Sequence, residues 1–337
     1  MNQAQLKLQP TASKNAMGIL LFLTLLNIIN MVDRNLITSF GTDIINDLNL
    51  SDFQFGLLTG PIFVVFYSIA GLFMGALADR VHRPRLIAAA LVLWSVLTAL
   101  AGMAKNFTQI GLARLFIGIG ESAMTPSALS MLADMFPKAK RGTATGIYYL
   151  GVPLGAGASF IVAGILGPMI GWRNCFIVLG GFGVLLVLVL LLLKDPKRGA
   201  MEKSDSVTTE QQANRLIGSS WRYVISDVFA VLKSSPALFW TMIGAVILHI
   251  PIGAGQFAIV WLERERGFGL GEISTTYGLI YIVFGTAGTL LGGILSDWYQ
   301  ARFKGGSVRF FAYLMLFMTP ILISFRFFVT SSTLFYV

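Results

Sequence analysis

Residues 75–85 form a short charged loop, Gly-Ala-Leu-Ala-Asp-Arg-Val-His-Arg-Pro-Arg, between two long apolar runs. The runs cover residues 53–78 and 84–104. A helix needs about 20 apolar residues to cross the roughly 30 Å hydrocarbon core of a bilayer. Because each run is long enough, the loop is predicted to join two transmembrane helices.

The composition of the whole chain excludes a water-soluble fold. Of its 337 residues, 55% are hydrophobic and 12% are charged, against about 25% charged in an ordinary soluble domain. Too few polar residues remain to cover a globule of this size. This excludes a soluble enzyme, a disordered protein and a coiled-coil rod. The one cysteine, Cys175, allows no intramolecular disulfide and no cysteine metal cluster.

Seven further apolar runs bring the number of predicted spans to nine. Only helices and closed barrels satisfy their backbone groups in lipid, and runs such as residues 184–190 lack the alternation of a barrel strand. The first run is longer than a signal-peptide core and contains Asp33-Arg34, so we expect it to be retained as a helix. The nine runs are 16–41, 53–78, 84–104, 107–133, 142–167, 171–193, 236–262, 271–296 and 308–330.

The distribution of basic residues predicts the orientation. With the N-terminus in the cytoplasm, 18 of the 25 Lys and Arg residues lie in inner segments, 4 lie in outer loops and 3 lie within spans. Cytoplasmic loops carry such an excess in membrane proteins. We therefore expect a multi-pass protein of a bacterial inner membrane, and the net charge of +9 indicates basic cytoplasmic loops rather than nucleic-acid binding.

The spans divide into two parts with an internal repeat. We predict an N-terminal six-helix bundle over residues 1–193, a cytoplasmic linker over 194–235, and a partial C-terminal bundle of three helices over 236–337. The linker contains apolar residues at near-helical spacing, which suits an amphipathic surface helix or an ordinary connector. Gly75–Arg80 ends the second span as Gly293–Trp298 ends the eighth. Repeated halves are typical of transporters that bind substrate near the membrane midplane.

Four motifs carry a resemblance to the major facilitator superfamily. Residues 75–85 resemble its loop between helices 2 and 3, and Arg114–Glu121 resembles its helix 4 signature. Asp134 with Pro137 and Arg141-Gly142 resembles the helix 4–5 junction, and Gly151–Gly155 is similar to the element on helix 5. The resemblance implies an all-α, two-bundle transporter fold of twelve helices. About nine of them are present here, and helices 10–12 have no counterpart in these residues.

A narrower resemblance points to the spinster-like branch. It is carried by Asn30-Met31-Val32-Asp33-Arg34 on the first span and Gly118-Ile119-Gly120-Glu121 on the fourth. It implies a secondary transporter of amphiphilic or lysolipid-like molecules, coupled to protons. Organic-anion symporters share similar helix 4 patterns and remain the alternative. A truncated, non-transporting fragment is a further alternative, since the chain stops just after the ninth span.

Four charged residues lie within the predicted spans of the N-terminal half: Asp33, Arg34, Arg114 and Glu121. A charge in the bilayer is expensive and marks a functional site by default. Glu121 follows Arg114 by seven residues, almost two helical turns, so both lie on one face about 10 Å apart. We interpret the four as a proton-coupling or substrate-binding group. A static pair that holds helix 1 against helix 4 is the alternative, although such pairs add little net stability.

The loop motif predicts a gating latch at the cytoplasmic side. The resemblance implies that Asp79, Arg83 and Asp134 form it, together with Arg80 and Arg141. By the internal repeat, Asp297 should take the equivalent position in the second half, facing Gly142-Thr143. Plain positive-inside signalling also explains the arginines. Gly75, Gly151, Pro153 and Gly155 are predicted to permit helix bending or close helix packing.

The sequence contains no catalytic constellation and no phosphate-binding loop of the Gly-x-x-x-x-Gly-Lys-Ser/Thr type. We therefore expect a protein that is not an enzyme, without a cofactor or metal and not driven by ATP. The expected partners are a small-molecule substrate, protons and the lipid bilayer. We expect the chain to be a monomer that does not bind nucleic acid.

Overall fold

The structure is a computed structural model that describes residues 15–201, 230, 233–303 and 306–328. Fourteen α-helices account for the regular structure of these residues. They are α1 (Ala16–Ser39), α2 (Gly41–Asp47), α3 (Asp52–Thr59), α4 (Pro61–Ala78), α5 (Arg83–Gly102), α6 (Phe107–Glu121), α7 (Met124–Met135), α8 (Lys138–Tyr149), α9 (Gly151–Ile165), α10 (Gly167–Leu192), α11 (Pro236–Gly255), α12 (Ala258–Arg266), α13 (Leu270–Arg302) and α14 (Gly306–Phe328).

The predicted all-helical multi-pass fold is confirmed. Seven stretches of the described residues are helical, long and apolar enough to span a membrane: Ala16–Ser39, Asp52–Ala78, Arg83–Gly102, Phe107–Met135, Lys138–Ile165, Gly167–Leu192 and Gly271–Arg302. Two shorter apolar helices, Pro236–Ile247 and Val308–Ile321, lie in the remaining two predicted runs. The amphipathic linker helix predicted near residues 216–232 falls outside the described residues, apart from residue 230.

Local sequence signals explain several helix boundaries. Ser51 begins α3 with a capping box, since its hydroxyl accepts from the Gln54 N–H while the Gln54 side chain accepts from the Ser51 N–H. Asn106 caps α6 with a single bond, since its side-chain oxygen accepts from the Gln109 N–H at 3.0 Å. Gly171, at φ 77°, breaks α10 near its start, at the residue where the predicted apolar run 171–193 begins. A left-handed backbone at this point favours glycine.

Contacts within the chain define two compact units, Met1–Ile282 and Val283–Val337. The first unit contains two apolar cores. One is formed around Leu23, Trp94 and Met131 near the end with the basic loops. The other is formed around Phe40, Phe55 and Phe176 near the opposite end. The predicted division at residues 194–235 remains a prediction.

Close helix packing joins α10 to α5. A Cβ atom at Gly180 would meet the Ser95 carbonyl oxygen and would lie 2.9 Å from the Ala99 nitrogen. A Cβ at neighbouring Gly181 would meet nothing within 4 Å among the described residues. Small residues allow backbones to approach closely in membranes, where packing rather than the hydrophobic effect drives helix association.

Gly180→Leu is therefore expected to lower the free energy of unfolding by about 1–3 kcal/mol, because the larger side chain separates α10 from α5. Gly181→Leu is the matched control and should have little effect. The midpoint of thermal unfolding in detergent, followed by tryptophan fluorescence, measures both variants. Equal losses would contradict the packing argument.

Candidate functional site

The four predicted intramembrane charges lie together between α1 and α6. Asp33 and Arg114 are each 2% exposed and Glu121 is 1% exposed. Arg34 donates to Glu121 Oε2 from Nη2 at 2.8 Å and from Nε at 3.1 Å. The attraction between two buried charges is weakly screened by solvent, so it can offset the cost of their desolvation when the hydrogen-bond geometry is good. The pair ties the C-terminal third of α1 to the end of α6.

Asp33, Arg114 and Glu121 each have a buried polar atom without a hydrogen-bond partner among the described residues, which in Glu121 is Oε1. Asp33 accepts from the Thr98 hydroxyl at 2.6 Å on Oδ2, and its Oδ1 has no hydrogen-bond partner among the described residues. Arg114 donates from Nη2 to the Arg34 carbonyl oxygen at 3.2 Å, while its Nε has no partner in the same part of the chain. Such buried polar atoms are rare in native proteins and point to a binding or proton-transfer role.

Aromatic residues of α4 complete this cluster. The Arg34 guanidinium lies 4.5 Å from the centre of the Tyr67 ring and 5.0 Å from that of Phe63. The Arg114 guanidinium lies 4.6 Å from the Phe63 ring centre. Phe63 therefore contacts both arginines through its ring, an attraction that strengthens in a desolvated site.

Sequence reasoning missed Phe63, Tyr67 and Thr98. The spacing of the two aromatics, four residues apart, places them on one face of α4, but many apolar pairs in this chain share that spacing. The close approach of α4 to α6 selects this pair, because a Cβ at Gly118 would lie 2.9 Å from the Phe63 carbonyl oxygen.

One side of the cluster is open. The Arg34 side chain is 27% exposed. Tyr149, the last residue of α8, is 39% exposed. Asn27 supports this wall by donating to the Tyr148 carbonyl oxygen at 2.8 Å. Arg34 is thus bound on one side to Glu121 and accessible on the other.

Glycines of α9 bring that helix against α1. A Cβ at Gly151 would lie 2.7 Å from Asn27 Nδ2, and a Cβ at Gly155 would meet the Ile28 carbonyl oxygen and lie 2.5 Å from Met31 Cβ. Pro153 is buried beside them. At Gly75, in α4, an added Cβ would meet nothing within 4 Å in the described part of the chain.

The charged loop after α4 is organised around Arg83, which is fully buried. Its Nη1 bonds to Asp134 Oδ2 at 2.5 Å and to the Ser130 hydroxyl at 2.9 Å. Its Nε bonds to Asp195 Oδ1 at 2.7 Å, and Nη2 donates to the Pro196 carbonyl oxygen at 2.6 Å. The structure therefore brings together Arg83 and Asp134 of the predicted latch and adds Asp195.

Asp79 takes a different partner from the one that the resemblance implied. It lies 3.9 Å from Arg198 Nη1, and Arg198 also donates to the carbonyl oxygens of Ala78 and Val81 at 2.8 Å. The Gly199 N–H donates to Asp134 at 2.9 Å. Residues 195–199, which we call the strap, thus bind the loop.

The sequence marks the strap only as a charged run after the sixth span, so the roles of Asp195 and Arg198 were missed.

Arg80 is exposed just after α4. Arg141 donates to the Phe136 carbonyl oxygen at 3.3 Å. Asp297 lies in α13, in the second unit, and its predicted position opposite Gly142-Thr143 remains a prediction.

The end of the first unit opposite this loop is closed. Thr38 donates to Gln256 Oε1 at 2.5 Å, and Arg264 bonds to Asp52 at 2.9 Å. The rings of Phe55 and Phe257 pack edge to face at 5.4 Å between centres. These contacts join α1 and α3 to the segment around α12.

Helices α9 and α13 also approach closely toward this closed end. A Cβ at Gly157 would meet Ile282 and would lie 2.6 Å from the Gly278 carbonyl oxygen. Such proximity is possible only where both helices present small residues. Any larger side chain at Gly157 would separate them.

Asp43 sits within this closed end with two other carboxylates. Burial raises the pKa of the Asp43 carboxyl above its ordinary value of 3.8, and the negative charges of Glu263 and Asp47 raise it further. Asp47 is partly neutralised, because it accepts from Trp172 Nε1 at 3.0 Å and from Arg173 Nε at 2.9 Å. Ionised Asp43 therefore opposes closure at this end.

The profile of the Major Facilitator Superfamily matches residues 23–337. The chain belongs to the major facilitator superfamily. This membership agrees with the helical multi-pass architecture and with the loop motif centred on Arg83.

The chain is similar to individual members of the superfamily, and a spinster homolog is among them. An MFS-type efflux pump of Mycolicibacterium smegmatis is 28% identical over 288 residues, which cover 86% of this chain and 63% of the relative. A probable sphingolipid transporter, spinster homolog 1, of Arabidopsis thaliana is 24% identical over 311 residues, 82% of this chain and 62% of the relative. The chain thus spans a little under two thirds of the length of these relatives.

A solved superfamily structure is also similar. A bacterial homolog of the human lysosomal transporter spinster, in an inward-facing and unoccupied conformation, superposes with a TM-score of 0.78 at 29% identity. The match covers 97% of this chain and 71% of that protein. The predicted resemblance to the superfamily and to its spinster-like branch is confirmed.

The bonds of Arg83 predict a specific instability. Asp195→Asn removes one of the two carboxylates that neutralise this buried guanidinium, so it should lower the free energy of unfolding by about 1–3 kcal/mol. Asp79→Asn is the control, because Asp79 is 74% exposed and lies 3.9 Å from its partner. Thermal unfolding of both purified variants tests this, and a larger loss for Asp79→Asn would contradict it.

The carboxylates around Asp43 predict a pH dependence. Above its raised pKa, ionised Asp43 destabilises the folded protein, so Asp43→Asn should unfold at a higher temperature than the wild type. As the pH falls through the raised pKa toward 3.8, Asp43 of the wild type is protonated and the repulsion is removed. The difference in unfolding temperature between the wild type and Asp43→Asn should then disappear. Asp52→Asn, which removes the exposed partner of Arg264, provides a control. An Asp43→Asn difference independent of pH would refute this assignment.

Proposed function

We propose that the protein is a secondary active transporter that works by alternating access, is coupled to protons and moves an amphiphilic, lysolipid-like molecule. The observation that carries the proposal is the buried cluster of Asp33, Arg34, Arg114 and Glu121. Burying two carboxylates and two guanidiniums in an apolar bundle costs free energy, and this cost is the reason for assigning them a function in transport. Membership of the superfamily supports transport as the general activity.

The proton step is assigned to the two carboxylates. Arg34 neutralises Glu121 in the present arrangement, at 2.8 Å. A movement of α1 relative to α6 that separates this pair leaves a charged carboxylate in the bundle. Because an unpaired buried charge costs several kcal/mol, binding a proton is the less costly outcome. Asp33, with one unpartnered oxygen, lies within electrostatic reach of Glu121 and provides the second proton site.

The substrate class follows from the open side of Arg34. A guanidinium binds phosphate or carboxylate groups through several parallel hydrogen bonds. Phe63 and Tyr67 hold the Arg34 side chain between the carboxylate and the open side, and the bundle around them is apolar. This combination fits an anionic head group attached to an apolar tail. The similarity to one relative, a probable sphingolipid transporter of Arabidopsis thaliana, supports the same class.

The closed end and the charged loop provide the conformational step. We assign the end with Thr38, Gln256 and the Gly157–Gly278 contact to the outer side, and the Arg83 loop to the cytoplasm. In this arrangement the predicted N-terminal bundle 1–193 and the helices after the linker move against each other about the site. The N-terminus would lie in the cytoplasm of a bacterial cell, and the transporter would act as a monomer.

Asp33→Asn and Glu121→Gln are expected to abolish proton-driven uptake, because each replaces a protonatable group with a neutral one of the same shape. Both variants should still insert in the membrane. Uptake into liposomes under an imposed pH gradient measures this, with Glu265→Gln as the control, since Glu265 is exposed on α12. Unchanged coupled uptake in both variants would refute the proton assignment.

A binding screen separates the proposed substrate class from its alternatives. Lysophospholipids should raise the unfolding temperature of the wild type, and Arg34→Gln should reduce this shift. A shift with small carboxylates alone would contradict the amphiphile and favour an organic-anion symporter. Binding without uptake by the wild-type chain would contradict transport by these 337 residues alone.

A further inference from the structure

A cavity of about 920 Å³ lies apart from the buried charge cluster, at the end of the first unit that carries the Arg83 loop. One wall comes from the start of α1, with Ile19 and Phe22, and another from the end of α10, with Val189 and Leu192. The remaining wall is the end of α7 and the beginning of the strap. A volume of several hundred Å³ suits a ligand of moderate size.

The charge balance at this cavity is positive. Its acidic lining residues, Asp134 and Asp195, both bond to the buried Arg83, so these three side chains together carry a net charge of −1. Its basic lining residues, Lys194 and Lys197, are exposed. Neither lysine forms an ion pair with a described residue. With both ammonium groups the charge balance at the cavity is +1, and these two groups are available to an anionic ligand.

The apolar walls continue onto surfaces that face lipid. Leu21 on α1 is 56% exposed, and Leu188 and Leu192 on α10 are 64% and 83% exposed. Both helices are long and apolar enough to span the membrane. The cavity thus lies where the ends of two spans meet a basic segment, which is the level of lipid head groups. A soluble anion would need the lysines but not the apolar walls.

We propose that this cavity binds an anionic phospholipid of the cytoplasmic leaflet. The lipid phosphate lies between the ammonium groups of Lys194 and Lys197, and an acyl chain lies along Ile19, Phe22 and Val189. Basic pockets between helix ends on the cytoplasmic side recognise such head groups. Because Lys194 and Lys197 flank Asp195, the bound lipid also holds the strap against the Arg83 loop. This site does not depend on the proposed transport activity.

The test uses the purified full chain in detergent micelles, with phosphatidylglycerol, phosphatidylcholine or inorganic phosphate added. Phosphatidylglycerol at saturating concentration should raise the unfolding midpoint by about 5 °C, and the other two probes should not. The double variant Lys194→Gln/Lys197→Gln should lose more than half of this shift. Lys138→Gln/Lys140→Gln, which changes two exposed lysines outside the cavity, should keep it.

A second pair of measurements guards against an effect on folding alone. Lys194→Arg/Lys197→Arg retains both charges and should retain the shift. Native mass spectrometry should detect phosphatidylglycerol retained by the wild type and lost from the glutamine pair. An equal shift with phosphatidylcholine or with inorganic phosphate would overturn the proposal. Equal losses in the cavity pair and in the control pair would also overturn it, since they would indicate general surface attraction.

Discussion

The pairing of Arg34 with Glu121 is the interaction on which the rest of the bundle depends. Water is absent from the bilayer core, so each buried charge must find its partner within the protein. Here a single ion pair at 2.8 Å joins the C-terminal third of α1 to α6, and the rings of Phe63 and Tyr67 bring α4 to the same point. Three helices are therefore held in register by one guanidinium.

Close packing makes this electrostatic arrangement possible. Gly118 lets α4 approach α6, and Gly155 lets α9 approach α1, so the charged side chains meet at hydrogen-bonding distance. At the opposite ends of the bundle, different interactions dominate. The basic end is organised by Arg83 and its two carboxylates. The other end is closed by Gln256, aromatic packing and the approach of α9 to α13.

The fold was largely predictable because its signals are local. Nine apolar runs and the asymmetry of Lys and Arg predict the spans and their orientation without any knowledge of contacts. Motifs such as residues 75–85 and Arg114–Glu121 identified the superfamily. The charge cluster was predictable in membership, since charged residues inside apolar runs are conspicuous. Its pairing was not: Asp33 bonds to Thr98, a residue that looks ordinary in the sequence.

The sequence by itself determined the helical, multi-pass class, the family and the identity of the intramembrane charges. Each of these follows from hydrophobicity and charge along short segments. The tertiary structure alone decided that Arg34 pairs with Glu121, that Asp195 shares Arg83 with Asp134, and that Phe63 contacts two guanidiniums. The reason is physical. These partners are separated by about 30 to 110 residues in the chain, so only helix packing, through close approaches of a few ångströms, selects them from many residues of the same kind.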